Sequence, residues 1–223
     1  MCGRFTQTLE WAGLQQLLDL PGLEDFVPRH NVAPGQKVRV VRAADAPGGA
    51  IAALDWGWHP ADAETGSPRP INARVETVAS KPLFRQALRS RRCLVPADGF
   101  LEWERRAGGE KRPVWFRLEP ARWFAMAGLW TPSAEGPGSF TILTTTPNEL
   151  VRAVHDRMPV ILPRLAYRAW LDPAHPDPLG LLRPLPAGQM TRTEVDPRLG
   201  SPREDHLDLL RPWKPAQTSL FDA

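Results

Sequence analysis

Five short apolar segments follow one another closely between residues 93 and 145, and this spacing restricts the fold more than any other feature. The segments cover residues 93–95, 100–105, 114–118, 123–129 and 140–145. Segments of this length are typical of strands, and Gly108-Gly109 predicts a hairpin between the second and the third. Close-set strands with few helices predict an α+β fold: a single domain around a curved antiparallel sheet or partial β-barrel with a few short helices.

The flanking sequence adds a few more elements to this sheet. Lys37–Arg42, residues 50–58 and residues 158–162 predict strands, whereas residues 9–20, 82–89 and 165–171 predict short helices. Pro47-Gly48-Gly49 predicts a turn, and residues 60–70 predict a loop. The chain has 25 prolines, and many follow position 159, which favours an irregular wrap over a second domain. We therefore predict one domain over residues 1–213 and a flexible tail over residues 214–223.

Composition and charge limit the cellular setting. No apolar stretch approaches the roughly 20 residues that a membrane span needs, and the start of the chain does not resemble a signal peptide. With only two cysteines, we expect reduced thiols and a cytoplasmic protein. The net charge of +3 permits a polyanionic partner without requiring one. Arginine clusters, such as the one at Arg85, Arg89, Arg91 and Arg92, are more often solvated faces than binding sites.

Cys2 is the residue with the most distinctive chemistry. Removal of Met1, which is usual before a small residue, would leave Cys2 with both a free α-amine and a thiol. Ordinary pKa values of roughly 7.7–8.0 and 8.5 place both groups within reach of activation near neutral pH. The amine can condense with an aldehyde to an imine, and the thiol can close a thiazolidine, without a metal or organic cofactor. Alternatively, the amine can serve as the base for the thiol in amide hydrolysis.

The two cysteines differ in the environment that their positions predict. Cys93 lies within an apolar segment and suits a buried structural position. Cys2 has almost no chain before it, and for that reason we do not expect it to be a buried structural thiol.

Four further segments, taken together with the segment around Cys2, decide between these chemistries. In chain order, the five are Met1-Cys2-Gly3-Arg4-Phe5, Asn31-Val32-Ala33-Pro34, Ile71-Asn72-Ala73-Arg74-Val75-Glu76-Thr77, Cys93-Leu94-Val95-Pro96-Ala97-Asp98-Gly99-Phe100-Leu101-Glu102-Trp103 and His155-Asp156-Arg157-Met158-Pro159-Val160-Ile161-Leu162. Their order and spacing resemble the SRAP (SOS response-associated peptidase) family of abasic-site processing proteins, which crosslink themselves to DNA. The resemblance covers roughly residues 1–212.

The resemblance implies a role for each matching catalytic position. Cys2 would trap the sugar aldehyde of an abasic site in single-stranded DNA as a thiazolidine. Glu102 would act as the general acid and base, and strand alternation places it on the same face as Phe100. Asn72 would orient the sugar or the amine, although by itself it also suits a turn. His155 would assist opening of the sugar ring or reversal of the crosslink.

The resemblance also implies how the chain would meet DNA. Arg4, Arg74 and Arg157 each lie within two residues of a proposed catalytic position, so they would contact the phosphates that flank the lesion. Binding would then depend on salt and little on sequence. No cofactor and no metal are implied, a monomer suffices, and in a bacterium the protein would associate with the nucleoid.

The last residues raise a separate hypothesis about a partner. Gln217-Thr218-Ser219-Leu220-Phe221 resembles the short peptides by which bacterial repair proteins dock on the replication sliding clamp. Leu220 and Phe221 would enter an apolar pocket, and Gln217 would fix the register. The alternative is a chance apolar pair in a disordered tail.

Three classes of function therefore remain open. The leading hypothesis is a DNA repair protein that traps abasic sites covalently, with weak strand-cleaving lyase activity and autoproteolysis as accompanying activities. The second is an N-terminal-cysteine amidohydrolase or peptidase, for which no oxyanion donors are evident. The third is a non-catalytic nucleic-acid-binding module, which leaves Cys2 unexplained.

Overall fold

A computed structural model describes residues 2–22, 26–43, 49–64, 66–133 and 136–214, and its strands form two sheets. The strands are β1 (Arg4–Gln7), β2 (Arg29–Val32), β3 (Lys37–Arg42), β4 (Ala50–Trp56), β5 (Asn72–Arg74), β6 (Arg92–Ala97), β7 (Gly99–Arg105), β8 (Lys111–Leu118), β9 (Phe124–Thr131), β10 (Ser139–Thr145), β11 (Met158–Pro159), β12 (Ile161–Leu162) and β13 (Met190–Glu194). The α-helices within these residues are α1 (Ala12–Leu18), α2 (Val75–Val78), α3 (Pro82–Ser90), α4 (Glu149–Arg152) and α5 (Tyr167–Leu171).

Five strands of the larger sheet close into a barrel. β4, β3, β6 and β9 follow one another in antiparallel pairings, and β9 pairs in the same way with β10. A parallel pairing between β10 and β4 completes the ring. Because β5 and β11 also pair with β10, and β12 pairs with β9, three short strands extend the barrel at its rim. The prediction of an α+β domain around a curved, mostly antiparallel sheet is confirmed.

The second sheet has the order β13-β8-β7-β1-β2 and packs one face against the barrel. Phe5, Phe100 and Phe116 on that face share a buried cluster with barrel residues such as Val40 and Phe140. The opposite face carries a smaller apolar cluster, which the carboxyl-terminal segment covers. Its members are Leu101, Trp103, Trp115, Val195, Leu199, Leu209 and Leu210. The alternation of side chains along β7 is therefore satisfied by a core on each side of the sheet.

Helices cover the outside of the barrel. Leu14 of α1, Phe84 of α3 and Trp170 of α5 pack with Leu94 and Leu129, which point outward from β6 and β9. Each helix buries one apolar stripe, so these short helices depend on the barrel rather than on their own propensity. Within the described ranges, no helix has the length and apolar character needed to cross a membrane.

Most of the predicted elements are confirmed, with differences at their ends and in the segment that follows residue 159. The strand over Lys37–Arg42 and the hairpin at Gly108-Gly109 are present, with Arg105 paired to Lys111 across the hairpin. The first helix is shorter than residues 9–20 because Asp19, at φ 51°, ends it. The wrap after position 159 is largely irregular, but β13 within it completes the second sheet, which the prediction missed.

Candidate active site at the amino terminus

β1 carries Cys2 into the interior of the protein. This strand lies between β2 and β7, with Phe5 opposite Val32 on one side and Phe100 on the other. Cys2, two residues before the strand begins, has no exposed surface. The expectation that Cys2 lies too close to the chain end to be buried is wrong, because β1 is paired on both edges and its start cannot fray. Cys93 is fully buried, as predicted.

The thiol of Cys2 is held in its neutral form. Burial raises its pKa well above the ordinary range, and the negative charge of Glu102 raises it further. The thiol donates a long hydrogen bond of 3.8 Å from Sγ to the backbone oxygen of Arg4. A thiol in this environment is a weak nucleophile until a base accepts its proton.

Glu102 is the buried carboxyl group that faces this thiol. It lies on β7, on the same face as Phe100, as strand alternation predicted, and it is only 3% exposed. Burial raises the pKa of Glu102 from 4.5 to about 7. A carboxyl group with this pKa is present in both its acid and its base form near neutral pH, which suits proton transfer in either direction.

Asn72 holds the backbone of Cys2. It lies on the short strand β5 rather than in a turn, and it pairs with Ile142 of β10. Its Nδ2 donates a 2.9 Å hydrogen bond to the backbone oxygen of Cys2. Its Oδ1 is buried and accepts no hydrogen bond within the described part of the chain. An orphaned buried acceptor beside Cys2 is available to an amine or hydroxyl donor.

His155 reaches the same end of β10 from the other side. Thr144 of β10 pairs with Arg74 of β5 at one edge and with Pro159 of β11 at the other, so the His155 segment lies across β10 from Asn72. The backbone N–H of Arg157 donates to Nδ1 of His155 at 3.0 Å. Burial lowers the pKa of His155, which favours the neutral ring that can accept this bond.

Two of the three arginines predicted to bind DNA are engaged within the protein. Arg157 donates to both carboxylate oxygens of Glu76, at 2.7 and 2.8 Å, and to the backbone oxygen of Thr144. This contact lowers the pKa of Glu76 and ties the His155 loop to α2. Arg74 is exposed and makes no ion pair or side-chain hydrogen bond with the described residues.

Arg4 fastens β1 to the carboxyl-terminal segment. Its guanidinium group donates to Oδ1 of Asn31 at 2.9 Å and to the backbone oxygens of Leu199 and Gly200, and it lies 5.7 Å from the ring centre of Trp103. The structure therefore places Asn72 and Glu102 beside the buried Cys2, and it places the partly exposed His155 across β10 from Asn72. Arg4, Arg74 and Arg157 each lie two residues from one of these positions.

Two residues of this site were quoted in motifs but given no role. Asn31 is fully buried, and its Nδ2 donates to the backbone oxygens of Leu199, Ser201 and Glu204. Asp156 is 86% exposed, lies 3.0 Å from Nδ1 of His155, and its charge raises the pKa of Glu102. Their presence in the matching segments was the available signal.

Gln217, Leu220 and Phe221 lie outside the described residues, so docking on a sliding clamp stays a prediction. Among the residues with described positions, no group of three His, Cys, Asp or Glu side chains is arranged to hold a metal ion.

Comparison with known proteins relates the chain to one protein family. The model of the family described as SOS response associated peptidase (SRAP) matches residues 1–202. The abasic site processing protein YoqW of Bacillus subtilis (strain 168) is 36% identical over 222 residues, covering 94% of this chain and 99% of YoqW. The abasic site processing protein YoaM of the same strain is 36% identical over 225 residues, covering 94% of this chain and 97% of YoaM.

A solved structure shares the fold. The crystal structure of a protein from Bacteroides thetaiotaomicron matches with a TM-score of 0.83 and covers 96% of this chain and 100% of its own. Its sequence is 21% identical, so the likeness extends to the fold alone.

Proposed function

The chain belongs to the SRAP family, and from this premise we propose that it processes abasic sites in single-stranded DNA by forming a covalent adduct at Cys2. The relatives named for abasic site processing align over 94% of the chain. The observation that carries the proposal is the burial of Cys2 beside Glu102, whose charge acts on the thiol, and beside Asn72, which binds the backbone oxygen of Cys2.

The first proposed step uses the α-amine of Cys2 after removal of Met1. The amine adds to the C1′ aldehyde of the ring-opened sugar, and loss of one water gives an imine. Glu102 in its acid form donates the proton that the departing hydroxyl needs. Asn72 holds the carbonyl of Cys2, which fixes the direction of the amine, and its Oδ1 accepts from the amine or the sugar.

The second proposed step uses the thiol. Sγ adds to the imine carbon, Glu102 in its base form accepts the thiol proton, and the nitrogen takes up a proton to complete the thiazolidine. Over both steps, one aldehyde and one aminothiol give one thiazolidine and one water. A neutral buried thiol requires such a base, which explains why a carboxyl group with a pKa of about 7 is placed beside it.

The same imine allows weaker accompanying reactions. Removal of a proton from C2′ eliminates the 3′ phosphate, which is a lyase reaction on the DNA strand. His155, neutral because burial lowers its pKa, is suited to move protons on the sugar during ring opening and during reversal of the adduct. Hydrolysis of the bond before Cys2 by the chain itself would expose the amine and would be the peptidase activity.

Phosphates flanking the lesion are the proposed ligands of Arg4, Arg74 and Arg157. Arg74 is the exposed one and follows Asn72 by two residues. Arg4 and Arg157 have partners within the protein, so a phosphate contact there would add to those bonds or exchange with them.

A denaturing gel tests the proposal. The purified protein is incubated with a labelled single strand that carries one abasic site, and with the matching undamaged strand. We expect a heat-stable band of reduced mobility with the abasic strand only. No shifted band with the wild-type protein would exclude the adduct. Turnover of small amides without such a band would favour the amidohydrolase.

A further inference from the structure

Helix α3 presents a row of cations to the solvent. Lys81, at its amino-terminal cap, and Arg85 and Arg89 within it are all exposed, whereas Phe84 and Leu88 are buried against the barrel. Because the three cations are spaced four residues apart, they share one face of the helix. We call these three residues the basic ridge.

The basic ridge has no acidic neighbour on its own helix. α3 contains no acidic residue, and none of the three cations forms an ion pair with a described residue. Glu76, on the preceding helix α2, is already bound to Arg157. Like charges four residues apart on a helix destabilise it, so this arrangement gains nothing for folding. It attracts an anion instead.

The basic ridge begins close to the active site. Arg74 is exposed immediately before α2, and the N–H of Lys81 donates at 3.0 Å to the backbone oxygen of Thr77 within α2. Arg74 and the basic ridge therefore lie at the starts of two consecutive helices, and Arg74 follows Asn72 by two residues. At the other end of α3, the N–H of Trp130 donates at 2.9 Å to the backbone oxygen of Arg91, and Arg42 lies 4.5 Å from the ring centre of Trp130.

The spacing of the ridge suits a nucleic-acid strand. Four residues of α-helix rise about 6 Å, so the three cations lie about as far apart as successive phosphates of an extended strand. We propose that the basic ridge is a track for the phosphates of the DNA strand on one side of the abasic site. This inference rests on the proposed function, because it is the reaction at Cys2 that places a strand beside Asn72.

The salt dependence of binding tests the track. Lys81→Gln/Arg85→Gln/Arg89→Gln is compared with the parent protein in a Cys2→Ala background, where binding of an undamaged labelled single strand is reversible. Each phosphate contact to a single strand contributes roughly 0.7 to the slope of log K against log salt. We expect the slope of the ridge variant to be shallower by about 2, measured by fluorescence anisotropy over a range of salt concentrations.

Arg122→Gln/Arg183→Gln/Arg203→Gln is the matched control, because it removes the same charge from exposed arginines elsewhere. Its slope should equal that of the parent protein. An unchanged slope in the ridge variant, or an equal loss in the control, would overturn the track. The thermal midpoint of the ridge variant should be no lower than that of the parent protein, since the substitutions relieve repulsion.

The test of salt dependence and the test of adduct formation can fail independently of each other. If the wild-type protein forms no adduct but the ridge variant has the shallower slope, the proposed chemistry fails and the track stands. If the adduct forms but the ridge variant binds with the parent slope, the track fails and the chemistry stands.

Discussion

Cys2→Ala should abolish the adduct with abasic single-stranded DNA, and Cys93→Ala should leave it intact. Both cysteines are fully buried and reduced, but only Cys2 lies beside Asn72 and a buried carboxyl group. Denaturing gels at saturating protein measure the covalent fraction directly. We expect no detectable adduct for Cys2→Ala and nearly the wild-type amount for Cys93→Ala.

Two further variants separate the roles of the amine and the thiol. One added residue between Met1 and Cys2 keeps the thiol but moves the amine, so the adduct should again be absent. Cys2→Ser keeps the amine but cannot close a thiazolidine, so its imine should survive the gel only after reduction with borohydride. An adduct of normal heat stability in either variant would contradict the order of steps, amine first and thiol second.

Glu102→Gln should slow adduct formation by about 10²- to 10⁴-fold, the range typical of a lost general acid or base. The substitution keeps the size of the side chain but cannot accept the proton of the Cys2 thiol. In the wild-type protein the thiol step needs the base form of Glu102, so closure to the heat-stable thiazolidine should slow as the pH drops below about 7, where Glu102 becomes protonated. The variant should lack this inflection in a profile of rate against pH.

The same substitution should stabilise the fold. Because the folded-state pKa of about 7 lies above the ordinary 4.5, the folded protein binds this proton more tightly than the unfolded chain does. The stability associated with Glu102 is therefore complete below pH 4.5 and is lost as the pH rises through 7. Removing the charge should raise the free energy of unfolding above pH 7 by roughly 3 kcal/mol, measured by urea denaturation.

Glu104→Gln is the control for both effects, since Glu104 lies on the same strand but is partly exposed and bound to Arg106. Its rate should stay within about twofold of wild type, and its stability should change by less than about 1 kcal/mol. A Glu102→Gln variant with wild-type rate and an unchanged pH profile would remove Glu102 from the chemistry.

Much of the fold follows from local patterns. The apolar segments between residues 93 and 145 correspond to β6–β10, and alternation along β7 correctly placed Glu102 on the face of Phe100. Three strands, β1, β2 and β5, escaped prediction because three or four residues carry too little periodicity. β1 and β5 are among these, and they carry the site, since β1 follows Cys2 and β5 begins at Asn72.

Long-range contacts account for what the sequence could not reveal about the site. Arg157 is paired with a carboxylate 81 positions away, and Arg4 binds backbone oxygens 195 and 196 positions away. A local sequence pattern cannot indicate partners this far away along the chain. From the sequence alone, these arginines are therefore predicted to be free to bind DNA. The burial of Cys2 is of the same kind, because it depends on the neighbouring strands that pair with β1.

Mass spectrometry of the digested adduct tests the crosslink at Cys2 most directly. After nuclease and protease treatment, we expect the sugar remnant on a peptide that begins at Cys2. Its mass should equal the sum of the two parts less one water, and borohydride should not change it, because a closed thiazolidine holds no imine. A remnant on a lysine, or on a peptide that still begins with Met1, would contradict the proposed chemistry.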